Sequence, residues 1–342
     1  MKTLSKSRFV SGVQCEKKLW YSYYRKDLQL PTDELTQAIF DLGHQIGNLA
    51  QNRFPNGKDA TPEDFSDFSP SIEKTKLWIA EEVETIYEAT FTAKNALCML
   101  DILHRMNDEI WAIEVKNSTS VKDYHLTDAS LQYFVMKEAG YAPDKFFLMH
   151  INNQYIKNGE LTDEFFHLED ITDKVLSKQT WVEENLERLL VMLENKQEPN
   201  VSIGAHCSSP FACDFVHHCW KHIPENSVFE LYRGGNKAWE LYEQGILKIE
   251  DIEDDFPLTH FQHLQRKGLR NQEQYINKEA IKNMISSWQF PLYFFDFETV
   301  FPAIPVLDGT RPYQQVPFQY SLHILEEDGK LSHKEFLAHP ED

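Results

Sequence analysis

The clearest pattern in the chain runs from Ala96 to Ser118, which reads ALCMLDILHRMNDEIWAIEVKNS. Residues 97–105 are mostly apolar, Met106-Asn107-Asp108-Glu109 holds the Asn and Asp that a hairpin turn favours, and 110–116 alternates polar with apolar. A two-stranded hairpin is predicted. Upstream, Leu35, Ile39, Leu42, Ile46 and Leu49 recur at spacings of four and three, which predicts an amphipathic helix over 33–54. Further helices are predicted over 8–24, 71–82 and 171–197, and one from Thr127 or Asp128, as its cap, to a stop at Gly140. Strands are predicted at 87–92 and at 145–151, the latter continuous and apolar as in a central strand. Helix, strand, hairpin, helix and strand in that order give an α/β domain with a mixed sheet.

The hairpin carries chemistry. With its turn centred on Asn107-Asp108, Asp101 lies opposite Glu114, and directly opposed Cβ atoms sit about 5 Å apart. Ile110, Ala112, Glu114 and Lys116 share one face, while Trp111, Ile113 and Val115 share the other. Two carboxylates so close repel unless a positive charge stands between them. A hard divalent cation with oxygen ligands does this and activates bound water, and Lys116 is placed to hold that water or neutralise developing charge. The plainer reading is a surface salt bridge. Glu-x-Lys also occurs at Glu16 and Glu194, but in polar, helix-like settings. His44 falls off the apolar stripe of its helix, between Gly43 and Gly47, which would let another backbone come close. It is a candidate metal ligand or a helix-surface histidine.

Composition limits where such chemistry acts. The 342 residues allow two or three domains, and a 42 % apolar and 13 % aromatic content is globular. No apolar run reaches the length of a membrane span. A net charge of −20 means that any contact with DNA must be a local groove on an acidic body. Five cysteines without a secretion signal point to the reducing cytoplasm and to metal binding. Cys207, Cys213 and Cys219 recur every six residues, beside His206, His217 and His218. Three thiolates leave a 4Fe–4S cluster or a zinc ion one ligand short. Cys15 is the free candidate, since Cys98 lies inside a hairpin strand, facing away from Asp101, and reads as core.

Taken together, Cys15, His44, Asp101, Glu114-Val115-Lys116, Gln132 and the cysteine trio resemble RecB-type nucleases of the PD-(D/E)XK superfamily. The likeness is strongest to the iron–sulfur CRISPR-associated exonucleases and the AddB-like clasp, and it covers residues 1–222. It implies a restriction-endonuclease-like mixed central sheet flanked by helices, with an iron–sulfur-stapled helical region. It also implies magnesium or manganese on His44, Asp101, Glu114 and the Val115 carbonyl, a catalytic Lys116, an orienting Gln132, and a 4Fe–4S cluster on Cys15, Cys207, Cys213 and Cys219, with zinc as the alternative. Met136 stands where the family often has Tyr, and the first gap of the trio is five residues instead of two. The implied activity is hydrolysis of DNA from single-stranded ends, with nuclease, helicase or CRISPR-type proteins as possible partners. The alternative is a cluster-stabilised clamp that grips nucleic acid or protein without cutting. Residues 223–288 read as a helical linker. In 289–342, Asp296 and Glu298 on one face of a strand at 291–299, with a second strand at 318–324, are similar to the first motif of DEDD exonucleases on an RNase H-like fold. The remaining carboxylates of such a site would follow residue 342, so this part is expected to be a fragment or a vestigial module.

Overall fold

The computed structural model describes residues 2–339. The first residue and the last three, which the predicted spans 1–222 and 289–342 include, lie outside the described residues. The chain divides into two units, Met1–Phe215 with Phe301–Gln314, and Val216–Val300 with Gln315–Asp342.

The first unit opens with a short strand, β1 (Leu4–Ser5), that runs directly into α1 (Lys6–Gln14), followed by α2 (Glu16–Tyr24). The single helix predicted over 8–24 is thus broken at Cys15, whose extended backbone (φ −162°, ψ 117°) caps both pieces. The corner keeps its bonds: Cys15 N–H still donates to Ser11 O at 2.9 Å, and Leu19 N–H to Cys15 O at 3.1 Å. Gly12 is required beside it, because a Cβ there would sit 2.7 Å from side-chain atoms of both Leu19 and Leu189. In α3 (Glu34–Gln51), Asp33 caps the first turn by accepting from Thr36 N–H at 2.7 Å. Only Ile46 and Ala50 of this helix are buried, and Leu35, Ile39 and Phe40 are exposed. A Cβ on Gly43 or Gly47 would meet nothing within 4 Å, so these glycines do not admit a second backbone as their sequence suggested.

The unit continues with β2 (Lys58–Asp59), α4 (Ser69–Ala80), β3 (Thr85–Ala93), β4 (Ala96–Met106), β5 (Glu109–Lys116), α5 (Asp123–Glu138), β6 (Lys145–Ile151), β7 (Phe166–Asp170), α6 (Thr172–Leu176) and α7 (Gln179–Glu194). The strands form one mixed sheet in the order β2-β3-β4-β5-β6-β7, with β1 added parallel to β4. β5 and β6 are parallel, so α5 is their crossover. The helix predicted over 171–197 is split because the Gln179 side-chain amide takes the Val175 carbonyl, at 2.9 Å, and also reaches Ser130 O. One sheet face packs Leu100, Leu103, Ala112, Phe146 and Leu148 against Phe9, Leu131, Val135 and Leu189. The other packs Ile102, Ile113, Phe147 and Met149 against Ile46, Ala50, Tyr155, Phe165 and Ala303. Each such side chain contributes about 1.5–3 kcal/mol when fully buried.

The second unit holds α8 (Val216–Cys219), α9 (Asn236–Glu243), α10 (His260–Asn271) and α11 (Lys278–Ser286). A small core of Val228, Leu231, Leu241, Ile249 and Ile252 lies among them. It also holds an antiparallel sheet of β8 (Leu292–Val300), β9 (Val316–Leu325) and β10 (Leu331–Leu337), in the order β10-β9-β8. Among the described residues no helix is long and apolar enough to cross a membrane.

Candidate active site

The hairpin forms in the predicted register. Pairs run from Ile102↔Ile113 to Met106↔Glu109, and the turn is closed by Asn107 in the left-handed region at φ 56°. β5 follows β4 no further than Ile102, while β1 joins β4 only at Ala96 and Leu97. Residues 98–101 are therefore an unpaired stretch of that edge. Two groups fill it. Asp101 Oδ2 accepts from Val115 N–H at 2.6 Å, replacing the missing ladder bond. Lys6, the first residue after β1, sends its ammonium to Met99 O at 3.1 Å and to Glu114 Oε1 at 2.8 Å.

Asp101 is freed by a slip in the alternation of both neighbouring strands. Ile86, Ala89 and Phe91 on β3, and Cys98, Leu100 and Leu103 on β4, all join the same core, whereas Tyr87 and Ile102 join the opposite one. The period of two breaks at Glu88 and at Asp101, the two positions between the pairs Tyr87↔Ile102 and Ala89↔Leu100. Glu88 makes the break possible by taking a left-handed backbone at φ 53°. This corrects one sequence expectation. Cys98 is core, as predicted, but its sulfur lies on the α5 side, 3.9 Å from Gln132 O.

α5 completes the network. Lys116 Nζ is 2.6 Å from both Glu114 Oε1 and Asp128 Oδ2, and Gln132 Nε2 donates to Glu114 Oε2 at 2.9 Å. Glu114 is 1 % exposed. Burial alone would raise its pKa, but Lys116 and Lys6 overcome that and hold the carboxylate well below its usual range. The Lys116 ammonium is likewise held charged against burial by Asp128 and Glu114. Asp101 behaves oppositely. Burial, then the Glu114 charge, push it up to about 7, and burial with Asp101 pushes Glu88 up to about 8. Gln132 Oε1 is buried without a hydrogen-bond partner.

These shifts fix a pH dependence. The unfolded chain releases the protons of Asp101 and Glu88 near pH 4, the folded protein only at about 7 and about 8. The protonated forms favour the fold, so metal-free stability falls as pH rises through that window. Thermal unfolding with a chelator is expected to give a lower Tm at about pH 9 than at about pH 5. Asp101→Asn should lessen the difference without abolishing it, since burial still raises Glu88. A Tm that rises across the window without metal would refute this account.

The other predicted site residues are placed as follows. His44 is exposed on α3. Among the described residues no group of three or more His, Cys, Asp or Glu side chains is arranged to hold a metal ion. Cys15 does meet the late cysteine loop. Gln14 Nε2 donates to His206 O and Phe211 O, both at 2.7 Å, Lys18 Nζ reaches Ala212 O at 3.4 Å, and Cys213 N–H bonds Cys207 O at 3.0 Å. Burial raises the Cys15 thiol, with a smaller contribution from Cys207, and pushes Cys213 up to about 11, with Cys15 and Cys207 adding to the effect. Cys219 belongs to the second unit. Asp296 and Glu298 lie on one face of β8, exposed and opposite Ser321 and Gln319. Sequence reasoning missed Lys6, Glu88 and Asp128. It placed Asp128 as a helix cap, yet α5 begins at Asp123 and Asp128 is a buried interior residue.

Comparison with known proteins adds little to this geometry. Residues 293–342 match the model of a domain of unknown function, DUF2779. None of the curated proteins matches the sequence. A solved structure described as the crystal structure of SSO0001 is similar over 64 % of this chain and 86 % of its own, at 11 % identity and a TM-score of 0.34.

Proposed function

We propose that the first unit is a metal-dependent nuclease with a restriction-endonuclease-like core, hydrolysing DNA phosphodiester bonds from single-stranded ends. The observation that carries this reading is the convergence of Asp101, Glu114 and Lys116 where β4 and β5 part, with Gln132 fixed on Glu114. The donor set fits a hard cation: two carboxylates, one raised by burial beside the other, and an orphaned amide oxygen. Asp101, Glu114 and the Val115 carbonyl would hold it. A bound magnesium or manganese supplies Lewis-acid polarisation of a phosphoryl oxygen and lowers the pKa of water. Lys116 keeps its proton, so it orients the attacking water or stabilises phosphoryl charge and does not act as the base. Asp128 and Glu114 hold that ammonium between them, and Gln132 fixes the Glu114 rotamer.

Cys15, Cys207 and Cys213 are this reading's contribution from the first unit to a 4Fe–4S cluster, with zinc as the alternative. β8 to β10 are read as the start of an RNase H-like domain. A second reading, a clamp that binds DNA without cutting, draws on the two carboxylates that already engage Lys116. End-labelled single strands with magnesium or manganese separate the two. Progressive shortening from an end is expected, and tight binding without product would leave only the clamp.

A further inference from the structure

Immediately after Lys116, an open cleft of about 520 Å³ lies between the end of β5, the start of α5 and the segment Phe301–Gln314 of the same unit. Its walls include Asn117, Ser118, Thr119, Lys122, Arg311 and Tyr313, and none of its lining residues is acidic. On a chain of net charge −20 this is an unusual place to find two cations without a carboxylate. The far wall is fixed in place. Tyr313 donates from its hydroxyl to Asn117 O and from its N–H to Pro302 O, and it adopts a left-handed φ of 58°. A non-glycine residue keeps that conformation only where its surroundings hold it. Lys157 N–H and O bond Thr310 O and Gly309 N–H, Lys157 Nζ meets Asp308 at 2.6 Å, and Ala303 is buried in the core. Arg311 is exposed; its backbone is held by Gln314, while its guanidinium makes a long 3.4 Å bond to Gln154 Oε1 and can take a ligand.

We propose that this cleft carries the sugar–phosphate backbone of a single-stranded DNA to the Asp101–Glu114 site, with Arg311 and Lys122 each on a phosphate. Asn117 and the Thr119 hydroxyl would donate to other backbone oxygens, as such groups do in positioning contacts. The inference rests on the nuclease reading and deepens it by naming the path of the substrate. It also gives the 301–314 segment a role: a stretch distant in sequence supplies one wall of the groove.

The test is fluorescence-anisotropy binding of a labelled oligothymidine to the full chain, with a chelator present, over a range of salt concentrations. Arg311→Ala and Lys122→Ala are each expected to weaken binding about 3- to 10-fold and to reduce the slope of log affinity against log salt by about 0.7, the loss of one phosphate contact on a single strand. Arg311→Lys keeps the slope. Lys76→Ala removes an equal charge from exposed α4 and changes neither quantity. Unchanged affinity in both groove variants, an equal effect from Lys76→Ala, or no binding by the unaltered protein overturns the proposal. So does a matched RNA that binds more tightly through the same two residues. Groove variants that weaken binding to a protein unable to cleave with magnesium or manganese would sink the nuclease reading alone. Cleavage with an unchanged KM in both variants would sink the groove alone.

Discussion

Lys116→Ala is expected to slow strand cleavage by about 100- to 1,000-fold, the range for losing one preorganised donor to developing charge. The ammonium sits 2.6 Å from one oxygen of Glu114 and 2.6 Å from one of Asp128, so its position is set by both strands and helix. The same contacts make the substitution structurally expensive. Breaking a buried ion pair from one side costs about 3–5 kcal/mol, because the remaining charge stays buried. Glu114 keeps Lys6 and Gln132, which limits the damage there, whereas Asp128 keeps a long 3.4 Å bond from Gln132. Lys116→Arg separates the two effects. It retains a cation for both carboxylates but places a planar guanidinium where a compact ammonium stood, so the fold should survive and the rate should still fall. The measurements are single-turnover degradation of a labelled strand and thermal unfolding by circular dichroism. Cleavage at the unaltered rate by a folded Lys116→Ala protein would remove this site from the chemistry.

How far the site could be read in advance depended on whether its geometry was local. Asn107-Asp108 and the alternation of 110–116 set the hairpin register, and with it the opposition of Asp101 and Glu114. That register is short-range information. The slip at Glu88 and Asp101 is not, since it is written in which core each neighbour joins, and Glu88 looks like any polar residue in a strand. Lys6 was hidden because its role comes from β1 lying beside β4, two residues paired across more than ninety positions. Asp128 was hidden by its chemistry, since aspartate near a helix start is usually a cap and here α5 begins five residues earlier. The break at Cys15 had only Gly12, three residues before it, and no Pro to announce it, and the one before Gln179, where a side-chain amide competes for a backbone carbonyl, had neither. The 301–314 segment joins the first unit although the strands on either side of it belong to the second, which no local pattern encodes.

Protein purified without oxygen is expected to be brown, and Cys15→Ser is expected to bleach it and lower its Tm by about 10–20 °C. The temperature follows from a staple worth about 5 kcal/mol, the order reached when a cross-link closes a very long loop, at about 2–4 °C per kcal/mol for a unit this large. The loop is long: Gln14 and His206, whose contact brings Cys15 to the late cysteine loop, are 192 positions apart. The break between α1 and α2 is what allows the meeting, because an extended residue at a helix corner can aim its side chain where a mid-helix residue could not. The thiols also need their ligand. Burial holds Cys213 up to about 11 and raises Cys15, so in metal-free protein they stay protonated at neutral pH and react slowly with alkylating agents. Bound iron or zinc would replace those protons. Iron, sulfide and zinc analysis beside the visible spectrum distinguishes the occupants: a colourless protein with stoichiometric zinc assigns the site to zinc. A metal-free protein whose Cys15→Ser variant melts with the unaltered chain leaves Gln14 and Lys18, and not a metal, as what ties the first helices to the 206–213 loop.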